Sequence, residues 1–389
     1  MKIEKRLIPG IARTLVAMTL MIQASFGQKA NSYLLPPEIK DPSSTTAYSS
    51  INRTGTGVPS MAVSLNGRLW AVWYSGITPG KIIELCPNAY VVVSTSSDNG
   101  KTWKEVLAID PDGAGPVQAF DPQAWIDPDG KLWIFWSHTG EKSGVWAVSA
   151  NDGDKEKPLW SAPKRLTDGI MMCKPIVLST GEWILPASIR DIKNSARVVV
   201  SVDKGINWKE RGAADVPKDF QACDEHMIVE RKDGSLWMLV RTSYGIGESF
   251  SPDRGITWSS LTPSQIKHTT SRFFISRLKS GNLLLVKNGP MDMRTEGPRQ
   301  RCYLMAFISK DDGKTWSKGL LLDGRAPVSY PDGQQTADGT IYIIWDYNRS
   351  KDQMIHMTSF TEDDIFAESD INMVKVFESR KVVSKGGPK

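Results

Sequence analysis

The residues able to do chemistry are a few acids, a tyrosine, a histidine and scattered cations. Glu225 and His226 follow Asp224 at the start of an apolar run, Asp121 sits between Phe120 and Pro122, and Tyr330 and Asp332 flank Pro331. Glu84 is the one acid of segment 80–90, and Lys174, Arg190, Arg241, Arg272 and Arg301 carry positive charge. Cleaving a glycoside needs a proton donor to the leaving oxygen and, across the sugar, a nucleophile or a base that activates water. Asp121, Asp332 or Glu84 can be the donor. Elimination next to a uronate carboxylate, the polysaccharide-lyase reaction, needs instead a base, an acid and a cation; Tyr330, His226 and an Arg or Lys meet that need. His226 adjoins Glu225, and neighbours on a strand point to opposite faces, so a core place suits it as well as a catalytic one.

Something must bring these distant residues together, and internal repeats supply it. Six apolar hairpins recur, with turn glycines at Gly67, Gly130, Gly181, Gly234, Gly281 and Gly339. Asn-Gly and Asp-Gly turns between apolar runs are strong hairpin signals because the turn needs positive φ. Trp70, Trp133, Trp183, Trp237 and Tyr342 follow the glycine by two or three places, as one packing position repeated would.

A second motif alternates with the hairpins. Ser96-x-Asp98-x-Gly100-x-Thr102-Trp103 recurs at Ser201–Trp208 (with Asn207 for Thr), Ser251–Trp258 and Ser309–Trp316. The Asp can accept turn N–H groups, the Gly takes the left-handed position and the Trp plugs the turn. A calcium loop would need six to eight oxygens, more than each turn offers. Units of some 50 residues, each two hairpins long, describe four-stranded blades, and six in a ring make an all-β, six-bladed β-propeller over residues 45–389.

In such a ring the first strand of each blade lines the axis, and the turns between first and second and between third and fourth strands share one face. Residues just before each first strand and just after each second strand then converge in a funnel on the opposite face. Those positions hold Asp121, Lys174, Arg190, Glu225, Arg241, Arg272, Tyr330 and Asp332, with Lys287 and Arg349 further round the rim. So many charged groups aimed at one axis point to a polar ligand.

The N-terminus reads as a secretory signal: a positive start, an apolar stretch over 15–22, and Ser25 and Gly27 before a cut ahead of Gln28. Residues 1–27 are read as the signal and 28–44 as a linker. The apolar stretch is shorter than the roughly 20 residues a membrane span needs. The net charge is +5, and Lys2, Lys5, Arg6 and Arg13 against Glu4 concentrate much of it in that segment. What is left has no basic run, which excludes the usual nucleic-acid footprint. Cys86, Cys173, Cys223 and Cys302 are too few for a disulfide scaffold and form no C-x-x-C pair; buried free thiols are expected, with Cys173–Cys223 as the one conceivable pair. No nucleotide, haem or metal motif is present, so no cofactor is expected.

The Ser-x-Asp-x-Gly-x-Thr-Trp turns resemble the Asp boxes of the sialidase (neuraminidase) superfamily, over nearly the whole chain after the signal. The resemblance implies an Asp-box propeller in which a Glu in the fourth blade activates a nucleophilic Tyr at the opening of the last. Glu225 and Tyr330 match those positions. Arg241 matches a carboxylate-binding arginine, and Arg301, with Arg299 or Arg294 as alternatives, matches another. The family's Arg-Ile-Pro before the first strand is here Gly57-Val58-Pro59, with Arg53 or Lys174 as distant replacements. The family's first-blade acid has no clear counterpart, and Asp121 is the preferred stand-in, with Asp332 and Glu84 as alternatives. The resemblance therefore implies an exported exo-acting glycoside hydrolase on a terminal, acidic sugar other than sialic acid. Tyr330, Glu225 and Asp121 would be catalytic. Arg241, Arg301, Arg272, Lys174, Arg190, Asp332 and His226 would bind substrate, and a carbohydrate would be the partner. A polysaccharide lyase and a non-catalytic glycan-binding propeller are the alternatives; the latter has no need of a Tyr–Glu pair.

Overall fold

A computed structural model of the chain describes residues 46–387, apart from residue 114 and residues 298–299 and 367–369. The signal, the linker and Arg299 lie outside the described residues. Blade 1 is β1 (Gly55–Val63), β2 (Leu69–Gly76), β3 (Tyr90–Ser96) and β4 (Lys104–Ile109). Blade 2 is β5 (Ala119–Ile126), β6 (Leu132–His138), β7 (Gly144–Ala150) and β8 (Lys164–Thr167). Blade 3 is β9 (Ile176–Val177), β10 (Trp183–Ser188), β11 (Ala196–Ser201) and β12 (Lys209–Ala214). Blade 4 is β13 (Gln221–Glu230), β14 (Leu236–Thr242), β15 (Gly245–Ser251) and β16 (Thr262–Pro263). Blade 5 is β17 (Phe274–Arg277), β18 (Leu283–Asn288), β19 (Leu304–Ser309) and β20 (Leu320–Asp323). Blade 6 is β21 (Val328–Gln335), β22 (Ile341–Tyr347), β23 (Met354–Phe360) and β24 (Lys381–Lys385), with helices α1 (Glu362–Phe366) and α2 (Asp370–Ser379) before its last strand.

Each sheet is an antiparallel meander in chain order, so the fold is the expected six-bladed propeller. All six hairpin glycines have positive φ, between 82° and 91°. Alternation along the strands sends apolar side chains to both faces of each blade, and they meet in six cores, one between each pair of neighbours. The core that unites Met61, Val63 and Trp73 of blade 1 with Ile344, Ile355 and Val383 of blade 6 closes the ring. Among the described residues no strand crosses that seam; instead Gln334 accepts from the Val63 amide and donates to its carbonyl, both at 3.0 Å.

The four Asp boxes are built alike. In the Ser251 box, Asp253 Oδ1 accepts from the Thr257 amide at 2.8 Å, Oδ2 accepts from its hydroxyl at 2.7 Å, and the Gly255 amide donates to Ser251 Oγ at 2.8 Å. These bonds from the residue four places on hold Asp203, Asp253 and Asp311 down at about 2. The boxes also touch neighbouring hairpin turns, as where Lys204 meets Asp129 and Asp312 accepts from the Lys232 amide. Both turn types therefore share one face, and the other face is left for the funnel.

Candidate active site

Three of the innermost strands open through the same irregularity. The register slips between Gly57 and Ser60, between Phe120 and Gln123, and between Ser329 and Asp332. Each slip contains a residue of positive φ followed by proline: Val58 (55°), Asp121 (50°) and Tyr330 (54°). Proline has no N–H to give to a ladder and suits a bulge, and a bulge re-aims the side chains around it. Blade 4 slips similarly between Gln221 and His226, around Cys223 at 72°. A non-glycine residue held at positive φ costs about 1–3 kcal/mol, and such strain gathers at functional sites.

The bulges sort side chains into two levels. Val58, Asp121, Cys223 and Tyr330 line a cavity of ≈ 300 Å³ together with Tyr74, Glu84, Phe120, Met172, Arg190 and Glu225. Two residues on from the first, second and fourth of these, Ser60, Gln123 and Asp332 turn to the axis. There Ser60 Oγ donates to Asp332 Oδ2 at 2.6 Å, Lys174 Nζ lies 3.0 Å from the same oxygen, and Arg272 Nη2 lies 3.5 Å from Oδ1 and 3.4 Å from Gln123 Oε1. Arg272 and Asp332 are almost fully buried. The expected binding residues Lys174, Arg272 and Asp332 are thus brought together with one another in an axial ion network.

Glu225 holds the corresponding place in blade 4, two residues after Cys223, but bonds to Tyr330 of blade 6 and to Arg241 of its own blade. Tyr330 Oη donates to Glu225 Oε1 at 2.9 Å, and Arg241 Nη1 donates to that carboxylate oxygen at 2.7 Å and to Tyr330 Oη at 2.9 Å. All three are buried. Glu225 Oε2 has no protein partner among the described residues. Burial first, then the Glu225 charge, raises the Tyr330 phenol, against which Arg241, Arg349 and Arg301 pull. The Arg301 guanidinium lies 5.6 Å from the Tyr330 ring centroid. Asp121 is buried, and burial followed by Glu225 pushes its carboxyl up to about 7, opposed by Arg190, Arg349 and Arg272. A carboxyl that keeps its proton near neutrality can donate it.

Other expected residues stand elsewhere. His226 Nε2 lies 2.8 Å from the Arg197 carbonyl of blade 3, so it faces the neighbouring blade as adjacency to Glu225 allowed. Arg53 is locked on Glu105 and Tyr90, Arg294 donates to the Ser243 carbonyl, and Lys287 Nζ is spent on the carbonyls of residues 288–290. All four cysteines are free: Cys173 Sγ meets the His226 carbonyl at 3.0 Å, while Cys223 lines the cavity. The bulges themselves were missed in the sequence, although Pro59, Pro122 and Pro331 recur at one place in the repeat. Arg349 was seen only as a rim residue, yet its guanidinium stacks 4.0 Å from the Tyr330 ring centroid and bonds to Asp346 and Glu84.

Solved structures share this architecture at low sequence identity. A protein of unknown function from Dyadobacter fermentans matches at 18% identity and TM-score 0.58, covering 77% of this chain and 92% of that one. The Hadza microbial sialidase Hz136 matches at 18% and 0.62, covering 81% and 67%. The intramolecular trans-sialidase from Ruminococcus gnavus, solved with oseltamivir carboxylate, matches at 14% and 0.63, covering 86% and 99%. No curated protein matches the sequence. The BNR repeat-like domain model matches residues 118–343, more than half of the chain and the region that holds Asp121, Glu225, Arg241 and Tyr330, so this chain belongs to the BNR repeat-like domain family.

Proposed function

We propose that the protein is an exported, exo-acting glycoside hydrolase that removes a terminal acidic sugar other than sialic acid from a glycan. The observation that carries this reading is the buried triangle of Tyr330, Glu225 and Arg241. A phenol already hydrogen-bonded to a carboxylate can give up its proton as it attacks, and an arginine bonded to both oxygens stabilises the phenolate. In the first step Tyr330 Oη bonds to the anomeric carbon, its proton passes to Glu225, and the bond to the leaving oxygen breaks as Asp121 protonates it. In the second, Asp121 takes a proton from water, the resulting hydroxide displaces the tyrosyl oxygen, and Glu225 returns the proton to Tyr330. The position of His226 against blade 3 favours hydrolysis over elimination, since it takes the proposed lyase acid out of the cavity. Gly57 in place of a first-blade arginine argues against sialic acid, and the signal-like residues 1–27 argue for export.

The test is to incubate the purified protein, from Gln28 onward, with host, plant and algal glycans and weigh the products. Products that have gained water support the proposal. An unsaturated product would indicate a lyase, and retention without cleavage would indicate a binding module.

A further inference from the structure

Gly57 and Arg349 share one space. A Cβ added to Gly57 would lie 2.6 Å from Arg349 Cδ and 2.9 Å from its Nε, so the arginine side chain lies directly over the glycine. It arrives from the far side of the ring seam, just beyond the second strand of blade 6. Asp346 anchors it: Oδ2 accepts from Arg349 Nε at 2.8 Å and from the Val58 amide at 2.9 Å, and Oδ1 accepts from Ser329 Oγ at 2.7 Å. The positive φ of Val58 thus belongs to the cradle that fixes this guanidinium.

The outer edge of the same guanidinium is held differently. Nη1 donates to Glu84 Oε1 at 2.6 Å, and the Glu84 side chain is 47% exposed where that of Asp346 is 1% exposed. A half-exposed ion pair is weak, whereas a guanidinium takes a carboxylate well in two-point geometry. Glu84 also lines the cavity beside Tyr330. The cradle therefore has one permanent carboxylate and one that a carboxylate from outside can replace.

We propose that Arg349 reads the acidic group of the sugar and that Glu84 occupies its outer edge until the sugar displaces it. This deepens the hydrolase reading and rests on it for the sugar, but it is tested by binding alone. Wild type, Glu84→Gln, Arg349→Gln and, as a control for general charge, Asp191→Asn, an exposed acid just beyond β10 at the rim, would be titrated calorimetrically with glucuronate, galacturonate, N-acetylneuraminate and neutral galactose. At least one acidic sugar is expected to bind Glu84→Gln about threefold or more tightly than wild type and Arg349→Gln about tenfold or more weakly, with galactose and the Asp191→Asn control unchanged. The acid that responds identifies the class read, and a response by N-acetylneuraminate alone would keep the Arg349 assignment and overturn the exclusion of sialic acid. Should Arg349→Gln fail to fold, Glu84→Gln decides, because its side chain is half exposed. Equal or weaker binding by Glu84→Gln, an equal gain in Asp191→Asn, or no acidic sugar bound by any of the proteins would overturn the proposal. Acid binding that follows this pattern without hydrolysis of any glycan would leave it standing and overturn the hydrolase reading.

Discussion

Tyr330 and Glu225 are 105 residues apart in sequence, and the hydroxyl of one donates to the carboxylate of the other at 2.9 Å, joining blades 6 and 4 past blade 5. They come from different levels of the repeat. Tyr330 is the positive-φ residue of its bulge, while Glu225 stands two residues beyond its own. The pair exists because blade 4 places a carboxylate at the level where blades 1, 2 and 6 place Ser60, Gln123 and Asp332.

Arg241 serves both oxygens of that pair, so its loss should be felt mainly in turnover. Arg241→Met is expected to lower kcat by about a hundredfold or more, as removal of a preorganised donor to developing charge does. The double variant Arg241→Met with Tyr330→Phe should be little worse than Tyr330→Phe alone, since residues acting as a unit are not additive. Steady-state kinetics checks this, and multiplicative losses would break the unit apart.

Asp121 makes a prediction with a definite sign. Its carboxyl titrates at about 7 in the folded protein against 3.8 ordinarily, chiefly through burial, so the folded state holds its proton more tightly. The associated stability is fully present below about 4 and is lost as pH rises through about 7. Asp121→Asn should match wild type in Tm at pH 4 and exceed it by a few degrees at pH 8. Its kcat should collapse, and wild-type kcat should fall above about pH 7 as the donor ionises. Thermal melts and pH–rate profiles read both, and a Tm gain that is largest at pH 4 would contradict the assignment.

Asp332 distinguishes an axial structural role from a binding one. Asp332→Ala leaves Lys174 and Arg272 buried without their carboxylate, and breaking a buried pair costs about 3–5 kcal/mol. Denaturant unfolding should show that loss. A variant of normal stability with weakened sugar binding would move Asp332 into the binding site.

The Asp boxes are expected to matter for folding alone. At Gly205, with φ of 82°, an added Cβ would lie 2.9 Å from the Trp183 ring. Gly205→Ala should cost about 1–3 kcal/mol with kcat per folded molecule unchanged. A selective loss of kcat would place the boxes nearer the chemistry than the shared turn face allows.

What the sequence made legible follows from how each feature is encoded. Positive φ at a turn writes a glycine, and the boxes write four residue types at fixed spacing, so blades and their number can be read directly. The meeting of Glu225, Arg241 and Tyr330 was legible through resemblance. The fates of Lys174, Arg272 and Asp332 were not, because a bulge of one residue decides whether a side chain faces funnel or axis, and positive φ at Asp121 or Tyr330 is not written in residue type. The Glu84–Arg349 pair spans 265 positions and the ring seam, where no local pattern constrains partners. Helices α1 and α2 replace an Asp box in blade 6 and carried no repeat signal.

The most direct test of the account is Tyr330→Phe assayed on a glycan that the wild-type protein cleaves. The change removes the oxygen proposed to attack, together with its bonds to Glu225 and Arg241, and keeps the ring beneath Arg349. The account requires kcat to fall by at least about a thousandfold with little change in Tm. Near-normal turnover in Tyr330→Phe would contradict it and leave Glu225 and Asp121 to act as a carboxylate pair.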